Sequence, residues 1–311
     1  MIVYNDSKRQ FVEDVKLGDI EDKILEQVRL HGLNAGHERE YISWHNSMQF
    51  MRNIVDDRDI DDDVQIAIEY NIPLTSKRVD FMIYGANNDG QDHIVIVELK
   101  QWEKAEVVDG QMHYCVKTFV ASDNRIVCHP SYQAYSYSRF ISNYSQEVLD
   151  KGINLIPCAY LHNFKPEYRS VLSNPIYKQW YSEAPFFIKS DVKTFSDYVK
   201  KYISKKSSRG DLLFLIDHGR IRPSKSLQDS LVSMVKGNQE FMLLDEQVVC
   251  YDMILRTMAQ CQKDRKKRTV IIQGGPGTGK SVLAVNFSWH SSKTDIILAT
   301  SQKIVHQEMP F

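Results

Sequence analysis

The sequence predicts an α/β protein with a mixed sheet flanked by helices, followed by an incomplete phosphate-binding segment. Three strand-like runs, 64–72, 78–84 and 93–99, follow in quick succession, and the last, HIVIVEL, is almost continuously apolar, as the centre of a sheet requires. Stretches with apolar residues at helical spacing precede and follow them. Near the C-terminus a glycine-rich loop sits between a short apolar run, TVIIQ, and a helix-like run, SVLAVNFSWH.

Taken in order, 8–30 reads as one helix on the spacing of Phe11, Val12, Val15, Ile20, Ile24, Leu25 and Val28, and 38–54 as a second. The acidic run 56–63 lacks the central glycine and the twelfth-position glutamate of a calcium loop and reads as a solvated connection. A turn at 86–90 joins the second and third strands. Helical segments are expected at 104–118 and 131–147, a strand at 153–160, a polar helical stretch over 190–240 with a loop at Lys205-Lys-Ser-Ser-Arg-Gly210, and a helix at 243–258. The division that follows is 1–165, an extension 166–240, and 241–311.

The chain has 311 residues, 42% hydrophobic and 25% charged, with net charge −1, so bulk charge announces neither nucleic acid nor membrane. A local basic run, Lys263-Asp-Arg-Lys-Lys-Arg268, reads as a solvated linker. No apolar run approaches the roughly 20 residues of a membrane span and no signal-peptide core is present, so a cytoplasmic protein is expected. Five cysteines without a CxxC pair argue against a disulfide framework and a structural zinc site.

Glu98 and Lys100 close the most apolar strand. Being two apart they share a face, while Val97 and Leu99 pack on the other. Two charges at the end of a buried strand are costly unless they have partners or a task. Asp80, on the preceding strand, can lie beside Glu98. Two carboxylates suit a hard divalent cation, Mg2+ or Mn2+, which would polarise a phosphodiester and acidify a bound water. Lys100 would orient that water or offset developing negative charge. A bare E-x-K also reads as a simple ion pair; the order strand with Asp, turn, apolar strand with E-x-K, helix is what favours chemistry.

Residues 37–140 resemble the PD-(D/E)XK nuclease superfamily, and most of the chain resembles the N-terminal part of the Schlafen-like bacterial DNA/RNA helicase family. The segments carrying this are Glu40-Tyr-Ile-Ser-Trp44, Glu69-Tyr-Asn-Ile-Pro73, Ser76-Lys-Arg-Val-Asp80, Val97-Glu-Leu-Lys-Gln-Trp102, His129-Pro-Ser-Tyr-Gln-Ala-Tyr-Ser-Tyr137, Ala159-Tyr-Leu-His-Asn163 and Ile221-Arg-Pro-Ser-Lys225. The resemblance implies a restriction-endonuclease-like fold, a core triad of Asp80, Glu98 and Lys100, and Glu40 as a helix-borne acid that joins the metal shell or remains a surface carboxylate. It further implies DNA cleavage, in anti-phage defence or DNA processing. Gln133 and Tyr137 match a Q-x-x-x-Y element of RecB-like members; four apart on a helix, they share a face and either touch DNA or brace the fold. Glu69 is assigned to structure.

Gly274-Gly-Pro-Gly-Thr-Gly-Lys-Ser281 matches the P-loop pattern, in which backbone N–H groups cradle phosphates at a helix N-terminus. Gly274, Gly275, Gly277, Thr278 and Gly279 would form the cradle, Lys280 would reach the β/γ-phosphates of ATP, and Ser281 the Mg2+. Gln247 resembles the adenine-reading glutamine that precedes such loops in helicase-like motors, or is an ordinary helix-start residue. After the loop helix one further strand, 295–299, is expected before Phe311, and no Walker B acid, arginine finger or second motor lobe follows. The expectation is a nuclease with a partial P-loop NTPase segment and no helicase activity of its own, with DNA as its partner. A further subunit supplying the motor half, or association into a homo-oligomer, would fit. The alternatives are a nucleotide-binding helicase fragment, or an interaction subunit whose nuclease fold is vestigial.

Overall fold

The computed structural model describes residues 2–30, 38–73, 75, 77–108, 113–120, 123–221, 243–275 and 278–290. The chain divides into two compact units: Met1–Ser224 with Leu244–Arg268, and Lys225–Leu243 with Thr269–Phe311. Among the described residues no helix is long and apolar enough to cross a membrane.

The first unit is a mixed α/β structure. Its main sheet has the order β1 (Ile2–Ser7), β2 (Gln65–Asn71), β3 (Arg78–Ala86), β4 (Asp92–Lys100), β8 (Asn154–Leu161), β9 (Phe186–Ile188). β1 to β4 pair antiparallel; β8 and β9 join in parallel. Two groups of buried side chains pack against this sheet. One gathers Phe81, Ile83, Val95 and Val97 of the sheet with α1 (Lys8–Leu17), α2 (Ile20–Leu30), α3 (Glu38–Val55) and α8 (Val192–Tyr202). The other gathers Met82, Tyr84, Ile94 and Ile96 with α4 (Pro130–Tyr144), α5 (Gln146–Lys151) and α9 (Leu212–Asp217). Alternate residues of β3 and β4 thus go to opposite layers, the period-two signature of a sheet covered on both sides.

Several expectations need correction. The helix predicted over 8–30 is two helices, because Gly18 takes a left-handed φ of 78° and donates its N–H to Asp14, closing α1. The described residues of the stretch 104–118 are not helical. The stretch contributes β5 (Ala105–Val107) and β6 (Cys115–Val120) to a small antiparallel sheet completed by β7 (Asp123–Cys128). Val116, Thr118 and Val120 are β-branched and alternate with period two, which suits a strand; reading them together with the residues before them blurred that period. The predicted helix 131–147 breaks at Ser145, whose hydroxyl caps α5. Two further helices, α6 (Arg169–Leu172) and α7 (Lys178–Glu183), precede β9.

The helix expected at 243–258 is α10 (Glu246–Asp264), and it belongs with the first unit rather than with the P-loop. Leu244 joins the second core, and Tyr251 meets Tyr114 edge-on at 6.3 Å. In the second unit, α11 (Lys280–His290) follows the glycine-rich loop as expected. Residues 269–273 are not a strand: they have no ladder partner among the described residues, and Ile271 stands 78% exposed. The strand expected at 295–299 lies outside the described residues.

At Gly85, where β3 ends, an added Cβ would come within 2.4 Å of the Lys205 carbonyl oxygen. That oxygen also accepts the Ala86 N–H at 2.7 Å, so it cannot retreat without losing a backbone bond. Gly85→Ala should therefore destabilise the protein by about 1–3 kcal/mol in urea unfolding. A shift under about 0.5 kcal/mol would mean that the 205 segment yields freely.

Candidate active site

β3 and β4 pair as far as Phe81 and Val97. One step further along that register Asp80 stands opposite Glu98, and there the ladder is replaced by a side chain: Asp80 Oδ2 accepts the Leu99 N–H at 2.8 Å. A second irregularity lies one strand away. Glu69, level with Asp80 in β2, has φ 54°, a left-handed backbone rare for a non-glycine residue. On the near side of this point Ile68 and Phe81 pack in the first core, whereas beyond it Tyr70 and Val79 pack in the second. The alternation therefore breaks in both strands at the level of Glu69 and Asp80. The Glu69 carboxylate accepts Trp44 Nε1–H of α3 at 2.8 Å and pairs with Arg78 at 3.1 Å.

Lys100 Nζ donates to Glu98 Oε1 at 2.6 Å, and its ammonium also sits 5.5 Å from the centroid of the Trp102 ring. Glu98 is only 2% exposed, and its second oxygen, Oε2, has no hydrogen-bond partner. Burial holds the Glu98 carboxyl well above the usual carboxylate range, the neighbouring Asp80 adds to this, and Lys100 opposes it. Burial likewise raises Asp80 against the pull of Lys100 and of the Leu99 N–H. For Lys100 burial favours the neutral amine, but Glu98 and Asp80 outweigh it and the ammonium is held. All three triad residues predicted from the sequence thus lie side by side at one end of β3 and β4.

Glu40 falls on the first turn of α3; its side chain lies outside the described part of the structure. α3 is tied to the site end of β4 by Gln101, whose amide donates to Ser43 Oγ at 2.7 Å and to the Ser43 carbonyl at 3.1 Å. Position 40 lies one turn before Trp44 on that helix.

Gln133 and Tyr137 are joined to each other, Gln133 Nε2 donating to the Tyr137 hydroxyl at 3.0 Å. The hydroxyl in turn donates to Asp245 Oδ2 at 2.8 Å, and Lys77 Nζ lies 3.0 Å from the same carboxylate. Lys77 also pairs with Glu246. Asp245 is close enough to bias the protonation of Asp80, Glu98 and Lys100. Sequence reasoning missed both Asp245 and Lys77 as site residues. No local pattern marks Asp245, which comes from far along the chain; Lys77 lies within the Ser76–Asp80 run that carried the resemblance.

Among the described residues no three His, Cys, Asp or Glu side chains are gathered as a ready metal cage. The donor set nevertheless suits a hard divalent cation. Two carboxylates, buried Glu98 and half-buried Asp80, stand side by side, Glu98 Oε2 has no hydrogen-bond partner, and burial raises both groups. Asp80 and Glu98 would hold such an ion, with the rest of its shell left to water and substrate.

In the second unit the loop folds on itself: Lys280 Nζ donates to the carbonyls of Gly274 at 2.8 Å and Gly275 at 2.7 Å, and Thr278 Oγ1 to Gly275 at 2.9 Å. Gly279 has φ 80°, and Ser281 is exposed on the first turn of α11. Gly277 lies outside the described residues. Gln247, in the first unit, accepts the Leu244 N–H at 3.0 Å and so closes the start of its own helix.

No protein-family model, curated protein or solved structure matches the chain.

Proposed function

We propose that this protein is a metal-dependent nuclease of restriction-endonuclease-like fold that hydrolyses phosphodiester bonds in DNA. The observation that carries this reading is the meeting of half-buried Asp80 and Lys100 with buried Glu98 at one end of β3 and β4, with Glu98 Oε2 left without a hydrogen-bond partner. Two adjacent, largely desolvated carboxylates beside one ammonium are a poor choice for stability and a good one for holding a divalent ion against a phosphate. Mg2+ bound there supplies Lewis-acid polarisation and a water of lowered pKa. Of the chain's own groups, Asp80 and Glu98 orient the cation site. Lys100, kept protonated by the two acids, offsets negative charge as it grows on the phosphate oxygens. DNA rather than RNA is taken from the sequence resemblance alone.

The test is a cleavage assay on supercoiled, linear and single-stranded DNA, with RNA beside it, in Mg2+, Mn2+ and EDTA. Cleavage that requires the divalent ion is expected. No cleavage of any substrate in either metal, or cleavage indifferent to EDTA, would sink the proposal.

A further inference from the structure

Asp245 is placed in an unusual way. It stands at the N-cap of α10, where an aspartate ordinarily turns its carboxylate onto the free N–H groups of its own helix. Here it makes no such bond, and its backbone lies at φ 41°, ψ −105°, outside the comfort of any residue with a Cβ. Such a conformation costs on the order of 1–3 kcal/mol, so it persists only if the contacts it makes possible hold it there. Those contacts are the hydroxyl of Tyr137 and the ammonium of Lys77, both on Oδ2, while Oδ1 is buried without a partner. Glu246, next in the chain, takes the same ammonium.

These donors define the ligand they suit. A lysine ammonium and a tyrosine hydroxyl, the latter steadied by the Gln133 amide, converge on one oxygen of an acceptor-only anion. A phosphodiester oxygen has that character, and lysine with tyrosine or glutamine is a usual set for gripping a nucleic-acid backbone. A role for Asp245 as a cation ligand is the weaker reading, because its bonded oxygen is already held by a cation and no three-acid cage is gathered among the described residues.

We propose that Lys77 and Tyr137, steadied by Gln133, form a phosphodiester-binding site beside the carboxylate–lysine centre, and that Asp245 and Glu246 occupy it as internal anions which a nucleic-acid strand displaces. The identity of the ligand as a nucleic acid rests on the nuclease reading; the occupancy of the donor set by the two acids does not. Displacement exchanges one anion for another, so the gain on binding is the phosphate contact less the cost of releasing the chain's own carboxylates.

The experiment is fluorescence-anisotropy titration of the full chain, in EDTA, with short labelled DNA and RNA strands of one sequence. Working without metal separates it from cleavage: a chain that binds as described yet never cuts would cost the nuclease reading and spare this one. The double variant Asp245→Asn, Glu246→Gln, which keeps size and shape, should bind one or both strands about tenfold tighter than wild type. Adding Lys77→Ala should abolish that gain. Unchanged affinity in the double variant for both strands would overturn the proposal. So would a gain that survives Lys77→Ala, since it would then come only from the lowered negative charge. If the double variant lacks a cooperative melt, Asp245→Asn alone should show the same gain, and the same two results would overturn the proposal.

Discussion

Lys100→Ala is expected to reduce Mg2+-dependent cleavage by about two to three orders of magnitude, the usual loss when a preorganised charge is removed from a reacting centre. Lys100 Nζ bonds Glu98 Oε1 at 2.6 Å, and it is the sole cation paired with either triad carboxylate among the described residues. Removing it also leaves buried Glu98 and half-buried Asp80 without their counter-charge. They can respond by taking up protons, which burial already favours, so the stability loss should be limited to about 1–3 kcal/mol rather than unfolding the chain. Rates should therefore be compared below the melting transition, with circular dichroism showing equal folded fractions. Cleavage within about threefold of wild type from such a sample, far short of the expected loss, would remove Lys100 from the reaction.

Glu98→Gln should separate function from stability: it is expected to abolish metal-supported cleavage and to make the metal-free protein more stable at pH 8. Two effects oppose. Glutamine weakens the bond to Lys100, but it also removes a charge buried next to Asp80. The direction of the Glu98 shift decides between them, since its acid form is favoured in the fold even with Lys100 present. The sign follows from linkage. A carboxyl with a folded pKa above its unfolded value of about 4.3 binds its proton more tightly in the native state. Its contribution is therefore fully present below that value and is lost as pH rises through the folded pKa. Urea unfolding in EDTA should show wild-type stability falling over that window. The variant should show a flatter profile, with a residual slope from Asp80, which is raised in the same direction. Mg2+ should restore wild-type stability at pH 8 and leave the variant unmoved. Wild-type stability that rises with pH across the window would refute the assignment of a Glu98 raised by burial.

The parts of the site that could be read in the sequence are those governed by local period. HIVIVELK announces a central strand by its apolar run and places Glu98 and Lys100 on one side by simple alternation, and β4 behaves so. Gln133 and Tyr137, four apart on a helix, do meet. What was illegible depends on departures from period or on distance along the chain. Alternation would keep Ile68 and Tyr70 on one side of β2, but the left-handed Glu69 sends them to opposite cores, and nothing in IAIEYN forecasts that turn. The small sheet around Cys115 and Cys128 was hidden because its alternating residues followed a stretch with helical spacing. Asp245 could not be found at all from local pattern, because its role comes from a long-range bond to Tyr137 and not from its neighbours.

The first unit is discontinuous along the chain: it is left after Ser224 and rejoined at Leu244. Dissecting the protein at the apparent end of the sheet-and-helix region would therefore not isolate the whole first unit. A fragment halted at residue 221 would forfeit Leu244 from the second core, the aromatic neighbour of Tyr114, and the acid that Lys77 and Tyr137 hold. The shortest contiguous piece that holds all of the first unit runs from Met1 to Arg268, and it necessarily carries residues 225–243 of the second unit within it.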